Sequence, residues 1–308
     1  MKNFTAISEI QESISSGSTS CLALVNHYLK QIEAHKNLNI YIEVFEDEAK
    51  IMAKKIDSKL RKGLGGKLAG MVIAIKDNLC YEGHKVSAAS KMLSDHEALY
   101  SATVIERILN EDAIIIGRVN CDEFSMGSSN ETSVYGPVKN PHNTTLVAGG
   151  ASGGSAAAVA AGLCQAALGS DTGGSIRQPA AFCGVIGIKP TYARVSRYGL
   201  IAYASSFDQI GVLAKSIEDA ALVTEVISGK DPKDSTSSSV PVKPFNNPSA
   251  PHKKKKIAYL KEYIESPGLN PEIKKLFFNL IHKLKSEGHI IKELSFAYIK
   301  VIVPSYYV

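Results

Sequence analysis

The chain has 308 residues, 44% of them hydrophobic and 21% charged, with a formal net charge of +5. This composition excludes a disordered or fibrous chain and suits a soluble globular protein with enough apolar material for a large core. The positive charge is spread along the sequence and is by itself only a weak hint of a nucleic-acid partner, because a binding footprint needs clustering on one face.

Five cysteines (Cys21, Cys80, Cys121, Cys164 and Cys183) are odd in number and sit mostly among apolar neighbours. They suit buried thiols in a reducing compartment, and no CxxC pair suggests zinc. No signal-type apolar stretch opens the sequence and no run of about 18 apolar residues occurs, so a cytoplasmic setting without membrane contact is expected.

In chain order, Ser20 is placed to cap a helix in which Leu22, Val25, Leu29 and Ile32 recur at helical spacing up to about Asn37. "NIYIEVF" alternates as a strand, and "EDEAKIMAKKIDSKLRKG" returns to the helical period, with basic residues near its end and Gly63 as its stop. From Leu68 short apolar runs, "LAGMVIAI", "DAIIIGRV", "CQAALGS" and "GVIGIKP", alternate with the helical segments "SATVIERILN" and "GSAAAVAAG". Such alternation predicts an α/β fold around a parallel or mixed sheet covered on both faces.

Residues 228–256, rich in Ser, Pro, Asn and Lys, read as a long surface connection, and Lys253–Lys256 as a solvated charge run before the strand "IAYLKEY", with contact to RNA or an acidic partner as the lesser alternative. The last segment, "SFAYIKVIVPSYYV", is apolar and β-prone without a polar tail, an unfavourable place to end a domain, so the chain is expected to be cut short. One domain is expected: an N-terminal helical part (1–66), a catalytic core (67–227), the connection (228–256), and the incomplete start of a C-terminal part (257–308).

Two Gly- and Ser-rich loops carry the chemistry. "GGASGGS" before "AAAVAAG" has the outline of a phosphate cradle, but it lacks the Lys-Ser/Thr ending of a Walker loop and the dinucleotide-fingerprint spacing. Its small residues also serve close backbone packing. In "GSDTGGSIRQP" the glycines let backbone N–H groups converge around Ser175, as in an oxyanion hole, and a serine beside such donors attacks a carbonyl once its proton is removed.

His84, His96 and His142 lie in loop-like surroundings with no evident acidic partner, and read as solvated side chains. Lys76 is the better base. It ends the apolar run "MVIAIK", which carries it to the strand edge where ligands of α/β sheets bind, and burial lowers the pKa of an ammonium.

The segments "IAIKDN", "GGASGGSAAAVAAG" and "GSDTGGSIRQPAAFCGVIGIKPTYARVSRYGL" resemble the amidase signature family through nearly the whole chain. The resemblance implies an α/β/α domain on a mixed sheet and a Ser-Ser-Lys mechanism. Lys76 would be the base, Ser175 the acyl-forming nucleophile, and the backbone N–H groups of Thr172, Gly173, Gly174 and Ser175 the oxyanion hole.

"NCDEFSMGSSNETSVYGPVKNP" and "SRYGLIAYASSFDQIG" are similar to the branch of the family that hydrolyses glutamine within a tRNA-dependent amidotransferase. That likeness implies a glutamine pocket lined by Met126, Gly127, Ser128 and Ser129. Asp171 and Arg177 would fix the nucleophile loop, or form a structural ion pair. No cofactor is implied for this component. The partners implied are a second subunit, which uses ATP and Mg to amidate glutamate on misacylated tRNA and makes the main tRNA contacts, and a small third subunit that clamps the other two.

The family pattern in the first loop is Gly-Gly-Ser-Ser-Gly-Gly, whose first serine bridges lysine and nucleophile. Here that position is Ala151, and Ser152 alone remains as a surrogate. Ala148 stands where the family has proline and Ala193 where it has glycine. Loss of the bridging hydroxyl is expected to cost about 10²- to 10⁴-fold in rate. Besides an impaired glutaminase, the alternatives are another small-amide amidase of the family and a non-catalytic fragment or scaffold.

Overall fold

The computed structural model describes Phe4, residues 6–245 and residues 254–308. The described chain forms two compact units, Met1–Asn246 and Asn247–Val308. Their boundary falls inside the predicted connection, of which residues 246–253, including Lys253, lie outside the described residues.

The first unit is built on a six-stranded sheet. Its strands are β1 (Tyr41–Val44), β2 (Val72–Lys76), β3 (Ile114–Val119), β6 (Ala166–Asp171), β7 (Ile186–Ile188) and β8 (Gln209–Ala214). A small hairpin, β4 (Lys139–Asn140) and β5 (Asn143–Val147), stands apart from it. The strand order is β1-β3-β2-β6-β8-β7. β2 runs parallel to β3 and β6, whereas β1, β8 and the β7–β8 pair are antiparallel, so the sheet is mixed.

Every residue of β2, β3, β6 and β8 is buried, because helices lie on both faces. The period of two sorts their side chains into two cores. Val72, Ala74, Ile114, Ile116, Ala167 and Leu213 pack with α2 (Cys21–Ala34), α3 (Glu46–Arg61) and α5 (Gly153–Ala160). Ile73, Ile75, Ile115, Leu168, Ile210 and Val212 pack with α1 (Ile7–Ser15), α4 (Thr103–Asn110) and α7 (Ile217–Ile227). A short helix, α6 (Arg177–Phe182), follows β6.

Ser20 caps α2 by accepting from the Ala23 N–H at 3.1 Å. Asp57 of α3 accepts from Cys21 and Leu22 N–H at 2.8 and 3.2 Å, which satisfies two further free donors of that helix end. All five cysteines are buried free thiols. Among the described residues no helix is long and apolar enough to cross a membrane.

The sequence reading passed over α1 and β8. Ile7, Ile10 and Ile14 carry a helical repeat in α1, and Asp219 receives its first N–H, from Ile7, at 2.9 Å. The first part of the predicted connection is pinned rather than loose: Asp231 accepts from Thr103 and Ser196 hydroxyls, and Asp234 from the Arg197 N–H.

The second unit pairs β9 (Lys256–Leu260) with β10 (Ile290–Leu294) in parallel, linked through α8 (Lys261–Ile264) and α9 (Pro271–Ser286). Its last residues form α10 (Ile302–Tyr307), where a strand was expected. Pro304 explains the difference, since it lacks the N–H that a ladder needs but is tolerated in a first helical turn.

Ala193, at the family's glycine position, has φ +69°, a left-handed conformation that a β-carbon disfavours. Ala193→Gly is therefore expected to raise stability by about 0.5–1 kcal/mol after the greater flexibility of glycine in the unfolded chain is counted. Urea unfolding midpoints measure this, and an unchanged or lower midpoint would refute it.

Candidate active site

The polar residues of the buried strands gather at one sheet edge. Lys76 ends β2 and is fully buried, and its Nζ is hydrogen-bonded to Ser170 Oγ in β6 across 2.9 Å. Asn78, just past the strand, donates from Nδ2 to Ser170 Oγ and to Ser125 Oγ, each at 2.9 Å. Burial pushes the Lys76 pKa below the usual lysine range, against the opposing pull of Cys121, Asp122, Asp171 and Asp208. The neutral amine is favoured relative to a lysine in water.

The two Gly-rich loops meet beside this lysine. Ser152, just before α5, donates its N–H to the Ser175 carbonyl at 3.1 Å. Its Oγ donates to the Ser170 carbonyl at 3.0 Å and accepts from the Ser170 N–H at 3.3 Å. Both functions of that hydroxyl are therefore engaged with the backbone of β6. Ala151 is fully buried, follows a cis peptide, and accepts from the Asp122 N–H at 3.3 Å. Among the described residues no hydrogen bond joins Lys76 Nζ to Ser152 or Ser175.

The nucleophile loop is wrapped around Asp171. Its carboxylate accepts from the N–H groups of Gly174 (2.9 Å), Ile176 (3.0 Å) and Arg177 (3.3 Å). The Arg177 guanidinium adds two bonds, from Nε at 3.1 Å and from Nη2 at 2.9 Å. Burial by itself would raise the Asp171 pKa, but the guanidinium and the converging N–H groups hold it below the usual carboxylate value. The ion pair and the loop support are thus one device.

Gly174 has φ +137°, a conformation that favours glycine, and its N–H is committed to Asp171. The N–H groups of Thr172, Gly173 and Ser175 meet no protein acceptor among the described residues. Thr172 is fixed from its side chain, which donates to Asp208 at 2.6 Å.

Met126, Gly127 and Ser128 are exposed and Ser129 is half-buried, on a loop that Gln178 ties to the first Gly-rich loop. Gln178 accepts from the Gly150 N–H at 2.9 Å and donates to the Ser128 carbonyl at 2.7 Å. Asp122 anchors the same loop through Asn130 N–H (2.9 Å) and Thr132 Oγ1 (2.9 Å). It lies so close to Gly150 that a β-carbon there would stand 2.0 Å from its Oδ2. Close packing and site geometry therefore share this loop.

The sequence reading missed Ser170, Asn78, Asp122 and Gln178, although "IKDN" and "GSDTGGS" contain two of them. Two histidine readings need correction. His84 has an acidic partner, Glu48, at 2.8 Å, because helix α3 brings that residue alongside, and its ring stacks on Tyr81. His142 Nε2 is 2.8 Å from the Cys183 carbonyl oxygen, so this ring is not merely solvated.

A family profile described as Amidase matches residues 23–308. The chain belongs to the amidase family. It is similar to a glutamyl-tRNA(Gln) amidotransferase subunit of Salinibacter ruber, 48% identical over 305 residues, covering 99% of this chain and 59% of that protein. The crystal structure of the corresponding glutamyl-tRNA(Gln) amidotransferase subunit from Thermotoga maritima is 36% identical with a TM-score of 0.80, covering 93% of this chain and 63% of that one. The peptide amidase of Stenotrophomonas maltophilia is 28% identical with a TM-score of 0.88, covering 98% and 64%. Measured against the Salinibacter relative, the chain spans about three-fifths of its length.

Replacing Asp171 by Asn removes the charge that the loop surrounds. Asp171→Asn is expected to lower stability at pH 7 by about 2–3 kcal/mol, the scale of hydrogen bonds to a charged group. Because the folded-state pKa is depressed, the native contribution is fully present above about 3.9 and is lost as pH falls through the folded value. Urea unfolding at pH 7 and at acid pH should show the gap closing on acidification, and a gap that persists unchanged would contradict this.

Proposed function

We propose that this chain is an amide-hydrolysing component of glutaminase type, corresponding to the glutamine-hydrolysing part of a glutamyl-tRNA(Gln) amidotransferase, with Ser175 as nucleophile and Lys76 as base. The observation that carries the reading is the buried Lys76 amine at the sheet edge, hydrogen-bonded through Ser170 to the strand whose end carries the Asp171-clamped nucleophile loop. A lysine in that setting serves as a base because its neutral form is accessible.

In the reaction Ser175 Oγ bonds to the amide carbonyl carbon as its proton passes to Lys76. The C–N bond then breaks, and the amide nitrogen takes that proton to leave as ammonia. Water cleaves the resulting acyl-serine and returns the free carboxylate. The backbone N–H groups of Thr172, Gly173 and Ser175 are the oxyanion donors in this scheme, with Gly174 shaping the loop instead. Met126 to Ser129 form one wall of the glutamine pocket.

The partners proposed are the ATP- and Mg-using subunit that amidates glutamate on misacylated tRNA, through which tRNA is mainly bound, and the small third subunit. The setting proposed is cytoplasmic. Ala151 leaves the route from Ser175 to Lys76 without its hydroxyl, and Ser152 is engaged elsewhere. These two facts favour a weakened enzyme, and they also support a second reading as a non-catalytic, partner-binding protein.

Glutamine hydrolysis with both partner subunits added, run beside Ala151→Ser, separates the readings, with mass spectrometry for an acyl adduct on Ser175. Restoring the hydroxyl is expected to raise ammonia release by about 10²- to 10⁴-fold. Absence of any adduct in both proteins, with binding to the ATP-using partner retained, would sustain the non-catalytic reading.

A further inference from the structure

Ser170 Oγ is shared between two nitrogen neighbours, and its hydrogen is the only one it has to place. Asn78 Nδ2 and Lys76 Nζ each lie 2.9 Å from it, and all three side chains are buried. Asn78 holds its NH2 toward Ser170 and Ser125, while its Oδ1 meets no donor among the described residues.

We propose that Asn78 is a positioning residue for Lys76, acting through Ser170: its carboxamide fills one lone pair of Ser170 Oγ and turns the hydroxyl hydrogen toward a neutral Lys76 amine. If Lys76 were an ammonium, Ser170 would accept from both nitrogens and its own hydrogen would be left without an acceptor among the described residues, in a buried site. With Lys76 neutral, the same hydroxyl accepts from Asn78 and donates to the amine lone pair, so its hydrogen is placed. Donation from Asn78 also polarises the hydroxyl, which strengthens it as a donor and weakens it as an acceptor.

The charged and titratable groups around Lys76 are Cys121 and Asp122 beyond β3, Asp171 at the end of β6 and Asp208 before β8. The acidic ones favour the ammonium, so Asn78 works against them. The neighbouring Asp77 is occupied by Arg118. The inference deepens the amidase reading and rests on it for the role of Lys76 as base.

The test is a pH titration of Lys76 in the full 308-residue chain, carrying 13C at the lysine ε-carbons, with the signal assigned by its loss in Lys76→Met. Asn78→Leu is expected to move the Lys76 titration upward by about half to one pH unit, the size of one hydrogen bond. Ser125→Ala, which leaves the Asn78–Ser170 bond in place, is expected to leave the titration where it was. A lower unfolding midpoint with an unmoved Lys76 titration would reduce Asn78 to a structural role and overturn the proposal.

Asn78→Asp, nearly isosteric, serves if the leucine variant does not fold. It turns a donor into an acceptor, so its upward shift should shrink when combined with Ser170→Ala. A shift of equal size in both backgrounds is a bare charge effect and overturns the proposal. Acylation of Ser175 by p-nitrophenyl acetate, followed by mass, separates the two levels. A Lys76 shift without acylation sustains the Asn78 role and counts against the amidase reading, whereas acylation with an unmoved Lys76 titration does the reverse.

Discussion

A lysine at the end of a wholly buried strand gives up most of its hydration, and its surroundings decide which protonation state remains tenable. Lys76 meets this constraint with one hydroxyl, Ser170, on the next strand, where the pull of the nearby carboxylates does not restore what burial removes. The rest of the site is arranged about that point. β2 must run parallel to β6 for Lys76 and Ser170 to arrive at the same edge, and the crossover between them has to return through the first Gly-rich loop and α5.

The second constraint is the convergence of backbone donors after β6. Three N–H groups and a guanidinium close on the Asp171 carboxylate and define the course of the nucleophile loop. A carboxylate that is buried and multiply bonded is a rigid pivot, because each lost bond leaves the buried Asp171 charge less well satisfied. Ser152 ties the first Gly-rich loop to β6 and to Ser175, and Gln178 ties it to the Met126–Ser129 loop, so segments distant in sequence are held together.

Much of this was legible in the sequence. The uninterrupted apolar runs required a sheet covered on both faces, and Lys76 at the end of one run already stood out as a polar group at a strand edge. β8 was passed over because "QIGVLA" follows directly on a turn-rich segment, and only its antiparallel place beside β6 gives it meaning. Ser170 and Asn78 were hidden for a different reason: a serine in a strand and an asparagine in a turn look ordinary until the fold sets both beside a buried amine. His84 shows the same limit, since its partner Glu48 comes from a helix 36 residues away. Ala151 was visible at once, but that Ser152 is already engaged with the Ser170 backbone is a matter of geometry.

Lys76 is held as an uncharged amine more readily than a lysine in water, and the chemistry of the site follows from that. Unfolding free energies of the chain and of Lys76→Met, measured from neutral to alkaline pH, test it most directly. A depressed folded-state pKa means that the unfolded chain binds the extra proton between that value and about 10.4. The stability of the chain relative to Lys76→Met should therefore climb with pH across that window and level off above it. A difference that falls as pH rises would mean that the fold holds the ammonium instead, and would contradict a neutral Lys76.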